Sequence, residues 1–133
     1  MSKAVLKMAL CEGRHEIPQA VNGAIFPQEI RPELLRDPKA LEWKAGRRIF
    51  ERFTELYPDA SLYVTYREWD NWDQEFKTSY GLENGNFHLD LYVTGLSVAL
   101  VAVLNAARVR GVSVTLYHYD RETGEYYAQE VAA

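Results

Sequence analysis

Apolar and polar positions change period several times along the chain, and each change marks an element. From Ala4 to Leu10 the alternation is loose and reads as a strand, after which Gly13 and Pro18 bracket the polar loop Gly13-Arg14-His15-Glu16-Ile17-Pro18. A short apolar stretch, Val21 to Phe26, is broken by Asn22-Gly23 and fits either a hairpin or an edge strand. Asp37-Pro38 then puts a hydrogen-bond acceptor before a proline suited to the first helical position. Leu41, Ala45, Ile49, Phe53 and Leu56 follow at spacings of four and three. That pattern predicts a helix from Pro38 to Tyr57, closed by Pro58, with Lys39, Glu42, Arg47, Arg48, Glu51, Arg52 and Glu55 on a solvated outer face.

Strict alternation returns in Ser61 to Arg67, a strand with one buried face, while Glu68 to Phe76 follows neither period and reads as a loop. Asn84-Gly85 is a turn signal. In Phe87 to Thr94 the residues Phe87, Leu89, Leu91 and Val93 face one side, and His88, Asp90, Tyr92 and Thr94 the other. Leu96 to Arg110 is an apolar helix with Arg108 and Arg110 in its last turn, stopped by Gly111. Val112 to Tyr119 alternates again, Asp120 to Gly124 turns, and Glu125 to Val131 returns as a hairpin partner. A helix between two strands of one sheet is a crossover and makes those strands parallel. The expected fold class is therefore α/β, with α+β as the alternative: a two-layer sandwich of a mixed β-sheet and two main helices, in one domain spanning 1–133.

Composition narrows the function classes. The 133 residues are 47% hydrophobic and 26% charged, which fits a folded globular chain. With 15 basic and 19 acidic residues the net charge is -4, which argues against long nucleic acid as a partner. Cys11 is the single cysteine, so neither an internal disulfide nor a cysteine-based zinc site is expected, and a reducing compartment suits the chain. The start of the chain lacks the continuous apolar stretch of a secretory signal, and the longest apolar run, Val98 to Leu104, falls far short of the roughly 20 residues that cross a bilayer. No membrane association is expected. Nine Tyr, three Trp and ten Arg against five Lys supply planar stacking and forked hydrogen bonding in spite of the acidic balance.

Four constellations can carry chemistry. At Val93-Thr94-Gly95-Leu96-Ser97 a helix begins where a strand ends, and free backbone amides there meet an anion or are simply capped by Thr94. Asn105 interrupts an otherwise Val, Ala and Leu helix; a buried amide left without partners costs about 1–3 kcal/mol. Ser97, Val101, Asn105 and Arg108 share one helix face, so Asn105 and Arg108 either reach a common cleft or bind neighbouring loop and carboxylate groups. Tyr117 to Tyr127 sets Arg121 in a turn among aromatics, suited to phosphate or to a base, or else to a surface pair with Glu122 or Glu125. Arg14-His15-Glu16 is open to the same two readings, ligand contact or self-bracing loop. His88 and Asp90 share a strand face and, with His15 or His118, are compatible with a metal site or an acid/base pair, yet no protease, nucleophile-elbow or phosphoesterase motif accompanies them. Satisfied structural histidines are the simpler reading. Glu68, Asp70, Asp73 and Glu75 lack the glycine and closing glutamate of a calcium loop, and Trp69 and Trp72 among them suggest a surface packed on a partner or lid.

Three strings, Cys11-Glu12-Gly13-Arg14-His15-Glu16-Ile17-Pro18, Leu91-Tyr92-Val93-Thr94-Gly95-Leu96 with its helix to Asn105, and His118-Tyr119-Asp120-Arg121 with Tyr126-Tyr127, resemble the first-described anti-Thoeris sponge family of phage proteins. Members bind the cyclic ADP-ribose signals of bacterial TIR-domain defence and hold them uncleaved, and some bind cyclic trinucleotides. The likeness spans the N-terminal loop and most of the C-terminal half, while Asp37 to Glu83 carries no motif of the family. It implies Asn105 and Arg121 as polar and cationic ligand contacts, a stacking aromatic for which Tyr92, Phe87 and Trp72 are candidates by chemistry, and self-association as a dimer or a hexamer of dimers. It also implies action in the cytoplasm of an infected bacterial host.

The expectation is thus a binder of a small-molecule nucleotide second messenger and not an enzyme, with no cofactor, metal or catalytic residue. Its ligand contacts would come from Asn105, Arg121, Arg14, His15, Tyr92, Thr94, Gly95 and Arg108. The alternatives are a nucleotide-cleaving hydrolase built on His88 and Asp90, and a protein-binding inhibitor acting through the Trp-rich loop.

Overall fold

The computed structural model describes residues 4–13, 17–57, 87–94, 97–109 and 111–131. They form strands β1 (Ala4–Cys11) and β2 (Ala24–Phe26), helices α1 (Pro32–Leu35) and α2 (Pro38–Leu56), strand β3 (Phe87–Tyr92), helix α3 (Ser97–Val109), and strands β4 (Val112–Asp120) and β5 (Glu125–Glu130). The sheet order is β2-β1-β3-β4-β5, with β5 antiparallel to β4 and the other neighbours parallel. This is the expected two-layer α/β arrangement with a mixed sheet.

One face of the sheet presents Leu6, Met8, Leu10, Phe87, Leu89, Leu91, Val112, Val114 and Leu116, all buried with Leu41, Ala45, Ile49, Phe53, Ala99, Val103 and Ala106 of the two long helices in one core. The strict alternation of β3 and β4 produces this division: every second side chain enters the core, and the remainder line the other face. Helix α2 starts as expected, with Asp37 Oδ1 accepting from Ala40 N at 3.1 Å and Pro38 in the first turn. It ends at Leu56, which is exposed and outside the core.

Of the two readings open at Val21 to Phe26, the edge strand is the one found: β2 has three residues and runs parallel to β1, with Ala24 and Phe26 paired to Ala9 and Cys11. Other expectations need correction. Arg48 and Arg52 do not belong to a solvated face. Arg48 Nε donates to Ala24 O at 3.1 Å and Arg52 Nε to Asn22 O at 3.0 Å, tying α2 to the chain around β2. Upstream of β2, side chains complete the edge of β1. Asn22 Oδ1 accepts from Lys7 N at 2.7 Å, and the Tyr57 hydroxyl accepts from Val5 N and donates to Val5 O, both at 3.1 Å. Short α1, begun by Pro32, has no counterpart in the sequence reading. The expected strand at 61–67, the loop at 68–76 with Trp69 and Trp72, and the Asn84-Gly85 turn lie outside the described residues, as does Pro58.

Candidate functional site

The sheet face turned away from the helices carries the chemistry, and strand register assembles it. Tyr92 at the end of β3 pairs with Tyr117 on β4, and Tyr119 of β4 with Tyr126 of β5. Residues paired in this way project on the same face, so four phenols converge. Tyr92 and Tyr117 stack with centroids 4.8 Å apart and planes inclined by 15°. Tyr126 stands edge-on to Tyr92 at 5.2 Å, and Tyr119 is tilted against Tyr126 at 5.3 Å.

These rings, with Pro18 and Gln19 from the loop after β1 and Gly124 and Glu125 from the β4–β5 turn, surround a cleft of about 660 Å³. That volume lies within the usual range for small-molecule sites, about 300–1,000 Å³. Its position is also informative: it opens beside the carboxyl ends of the parallel strands, where open α/β sheets bind ligands. Burial raises the pKa values of Tyr92, Tyr117 and Tyr126 above the usual 10.0. Neighbouring phenols and carboxylates add to it, Tyr117 and Asp90 at Tyr92, Asp90 at Tyr117, and Tyr119 at Tyr126. All three therefore stay neutral hydroxyls over the physiological range and can donate a hydrogen bond.

Arg121 lies in the β4–β5 turn and is not among the residues that line the cleft. Its turn is braced by Gly124 N donating to Asp120 O at 2.8 Å and Glu122 N to Asp120 Oδ1 at 2.9 Å, and Gly124 occupies the left-handed region at φ 72°. Arg121 is exposed to solvent in this turn, of which Gly124 lines the cleft.

Other expected contacts sit elsewhere. Thr94 is committed to the scaffold: its hydroxyl donates to Cys11 O at 3.0 Å and accepts from Cys11 N at 3.2 Å, clamping the ends of β3 and β1 together. Asn105 is not buried. It lies with Arg108 on the exposed side of α3, where Asn105 lines a groove of about 310 Å³ with Ser97, Val98, Val101 and Ala102 and with Pro38, Lys39 and Glu42 of α2. The two long described helices and the tyrosines occupy opposite faces of the sheet, so within one chain Asn105 and Arg108 do not join Tyr92. Arg14, His15 and Gly95 lie outside the described residues, although Pro18 and Gln19 of the same loop as Arg14 line the cleft. Phe87 is in the core and cannot stack on a ligand in the cleft.

His88 forms a second polar cluster on the tyrosine face. Nδ1 is 2.6 Å from Ser113 Oγ, while Nε2 is 3.1 Å from Asp90 Oδ1 and 3.0 Å from Thr115 Oγ1. Which ring nitrogen of His88 donates depends on its tautomer. Ser113 Oγ donates to Phe87 O at 3.3 Å. The residues lining the tyrosine cleft do not include His88 or Asp90. His118 is remote from this cluster in its bonding, with Nε2 2.8 Å from Gln129 Oε1 and its ring against Tyr127. No group of three or more potential metal ligands occurs among the described residues.

No family model, curated protein or solved structure matches this chain. The site therefore has to be read from its own geometry. Of the residues lining the cleft, only Tyr92 was expected as a contact; Tyr117, Tyr119 and Tyr126 were not. Their signal was alternation: on β4, Tyr117 and Tyr119 share a face, and a hairpin through Asp120 to Gly124 returns Tyr126 to the same side.

Proposed function

We propose that the protein binds a cyclic nucleotide second messenger of the cyclic ADP-ribose kind in the tyrosine cleft and holds it uncleaved. It would thereby act as a phage anti-defence sponge in the cytoplasm of an infected bacterium. The observation that carries this reading is the four-tyrosine cleft at the carboxyl ends of the parallel strands. Aromatic faces stack on a purine, neutral phenols donate to ring or ribose acceptors, and Gln19 and Glu125 accept from ribose hydroxyls. Arg121, in the turn that contributes Gly124 to the cleft, would supply the forked cation that phosphate oxygens need. Retention without turnover asks only for complementarity to the ground state of the ligand.

One observation favours a second reading. The Ser113–His88–Asp90 chain of contacts is the order of groups that a hydrolase uses to activate a hydroxyl. All three side chains project from sheet strands outside the cleft lining, and this favours the binding role for the cleft.

Incubating the protein with cyclic ADP-ribose isomers, washing, heat-denaturing and analysing the released compound separates the two. Intact ligand supports the sponge, and cleavage product supports the hydrolase. Stacking on an aromatic side chain contributes about 1–3 kcal/mol per base, so Tyr119→Ala and Tyr126→Ala should each weaken binding about tenfold or more in calorimetry. Retention of no isomer by the wild-type chain, or unchanged affinity in both variants, would sink this assignment.

A further inference from the structure

Among the described residues that line the tyrosine cleft, Glu125 is the one that carries a charge, and none is basic. The surroundings have the same sign. The turn that leads into β5 holds three carboxylates, Asp120, Glu122 and Glu125, against the one guanidinium of Arg121, which stands outside the lining. Asp90 lies two positions before Tyr92 on the same sheet face, and its negative charge contributes to the raised pKa values of Tyr92 and Tyr117. The cleft is therefore a region of negative potential.

The rings act in the same direction. The face of an aromatic ring is the negative part of its quadrupole, and a cation within about 6 Å of the centroid is attracted to it. Tyr92 and Tyr117 are nearly parallel at 15°, Tyr126 stands at 85° to Tyr92, and Tyr119 is tilted by 55° from Tyr126. Ring planes set at such different angles enclose a guest from several sides. Successive centroids are 4.8, 5.2 and 5.3 Å apart, so one positive centre can lie within reach of more than one ring. A primary ammonium is strongly hydrated and would lose its water against phenyl faces, whereas an alkylated cation spreads its charge over an apolar surface that such rings accept.

We propose that the tyrosine cleft is an aromatic cage for an alkylated organic cation, a quaternary ammonium group or a positively charged N-alkylated ring, with Glu125 as its counter-charge. The inference goes beyond the nucleotide reading. It concerns the charge of the group seated among the rings and needs no phosphate, so either can fail alone.

Calorimetry on the full chain tests it with two cations and their uncharged counterparts: choline against its carbon isostere dimethylbutanol, and ring-N-methylated nicotinamide against nicotinamide. At least one cation should bind about tenfold more tightly than its counterpart, and which one does separates an ammonium head from a flat charged ring. Tyr126→Leu should cut that preference about tenfold, while Tyr126→Phe, which keeps the ring and loses the hydroxyl, should retain it. Glu125 is exposed, so Glu125→Gln should reduce the preference by only about threefold. A wild-type chain that prefers neither cation, or Tyr126→Leu and Glu125→Gln variants that both keep the full preference, would overturn the proposal. Cation binding without retention of any cyclic nucleotide would support the cage and count against the nucleotide reading, and retained nucleotide without cation preference would do the reverse.

Discussion

Tyr92, Tyr117 and Tyr126 illustrate how a side chain's neighbours set its chemistry. Each phenol is a common residue, but burial and adjacent rings or carboxylates raise its pKa above 10.0. A raised folded-state pKa means that the native protein holds its protons more tightly than the unfolded chain. The associated stability is complete below pH 10.0 and is lost as the pH rises through the higher native values. Thermal melts between pH 9 and pH 12 should show a decline that Tyr126→Phe makes shallower, because Phe has no proton to lose. An equal slope in the variant would remove Tyr126 from the set of coupled groups. Thr94 gives the contrasting lesson. Its place beside Gly95 at a strand end suggested an anion site or a helix cap, whereas both bonds of its hydroxyl go to Cys11 across the sheet. That partner is 83 residues away in sequence and leaves no local trace.

Among the elements, α2 was the most legible. Asp37-Pro38 and the apolar spacing located its start within the sequence, and the Asp37 cap accepts the Ala40 amide as expected. Asp37→Ala should therefore lower stability by about 1 kcal/mol, read as a fall in melting temperature, and Asp37→Ser should recover most of it. Strands β3 and β4 were equally readable, because alternation with one buried face fixes both the period and the side that faces the core, and β5, which buries no residue, followed from the turn at Asp120 to Gly124. The edge at β2 was legible only as one of two readings. Gly23 N donates to Ala20 O at 3.2 Å in a turn, Gly23 at φ 93° delivers Ala24 into a short parallel strand, and Asn22, Tyr57, Arg48 and Arg52 finish the hydrogen bonding around it. Helix α3 was read with correct bounds to within one residue, yet its composition is so uniformly apolar that the amide of Asn105 could belong to either side.

Across the molecule, one apolar layer joins the sheet to both long helices, with Leu6, Met8, Leu10, Leu89 and Leu91 fully inaccessible. Leu89→Ala should cost about 2–5 kcal/mol, since transfer and cavity terms add in a core this tight. Denaturant titration followed by both fluorescence and circular dichroism would check it, with a single shifted transition expected. No described helix is long and apolar enough to cross a membrane. Packing of both long helices on one face of the sheet places the tyrosine cleft and the outer side of α3 on opposite surfaces.

Local pattern by itself determined the elements, the mixed α/β class, the parallel crossover from β3 to β4 and the aromatic content of the C-terminal hairpin, because periodicity, caps and turn residues act over a few positions. Tertiary structure alone decided which side chains meet. Register brought Tyr92, Tyr117, Tyr119 and Tyr126 around one cleft, packing sent Asn105 to the exposed side of α3, and hydrogen bonds across the sheet turned Thr94 into a clamp. Those outcomes depend on pairings between residues far apart in the chain, whose free energy is realised only when the sheet and its helices are assembled.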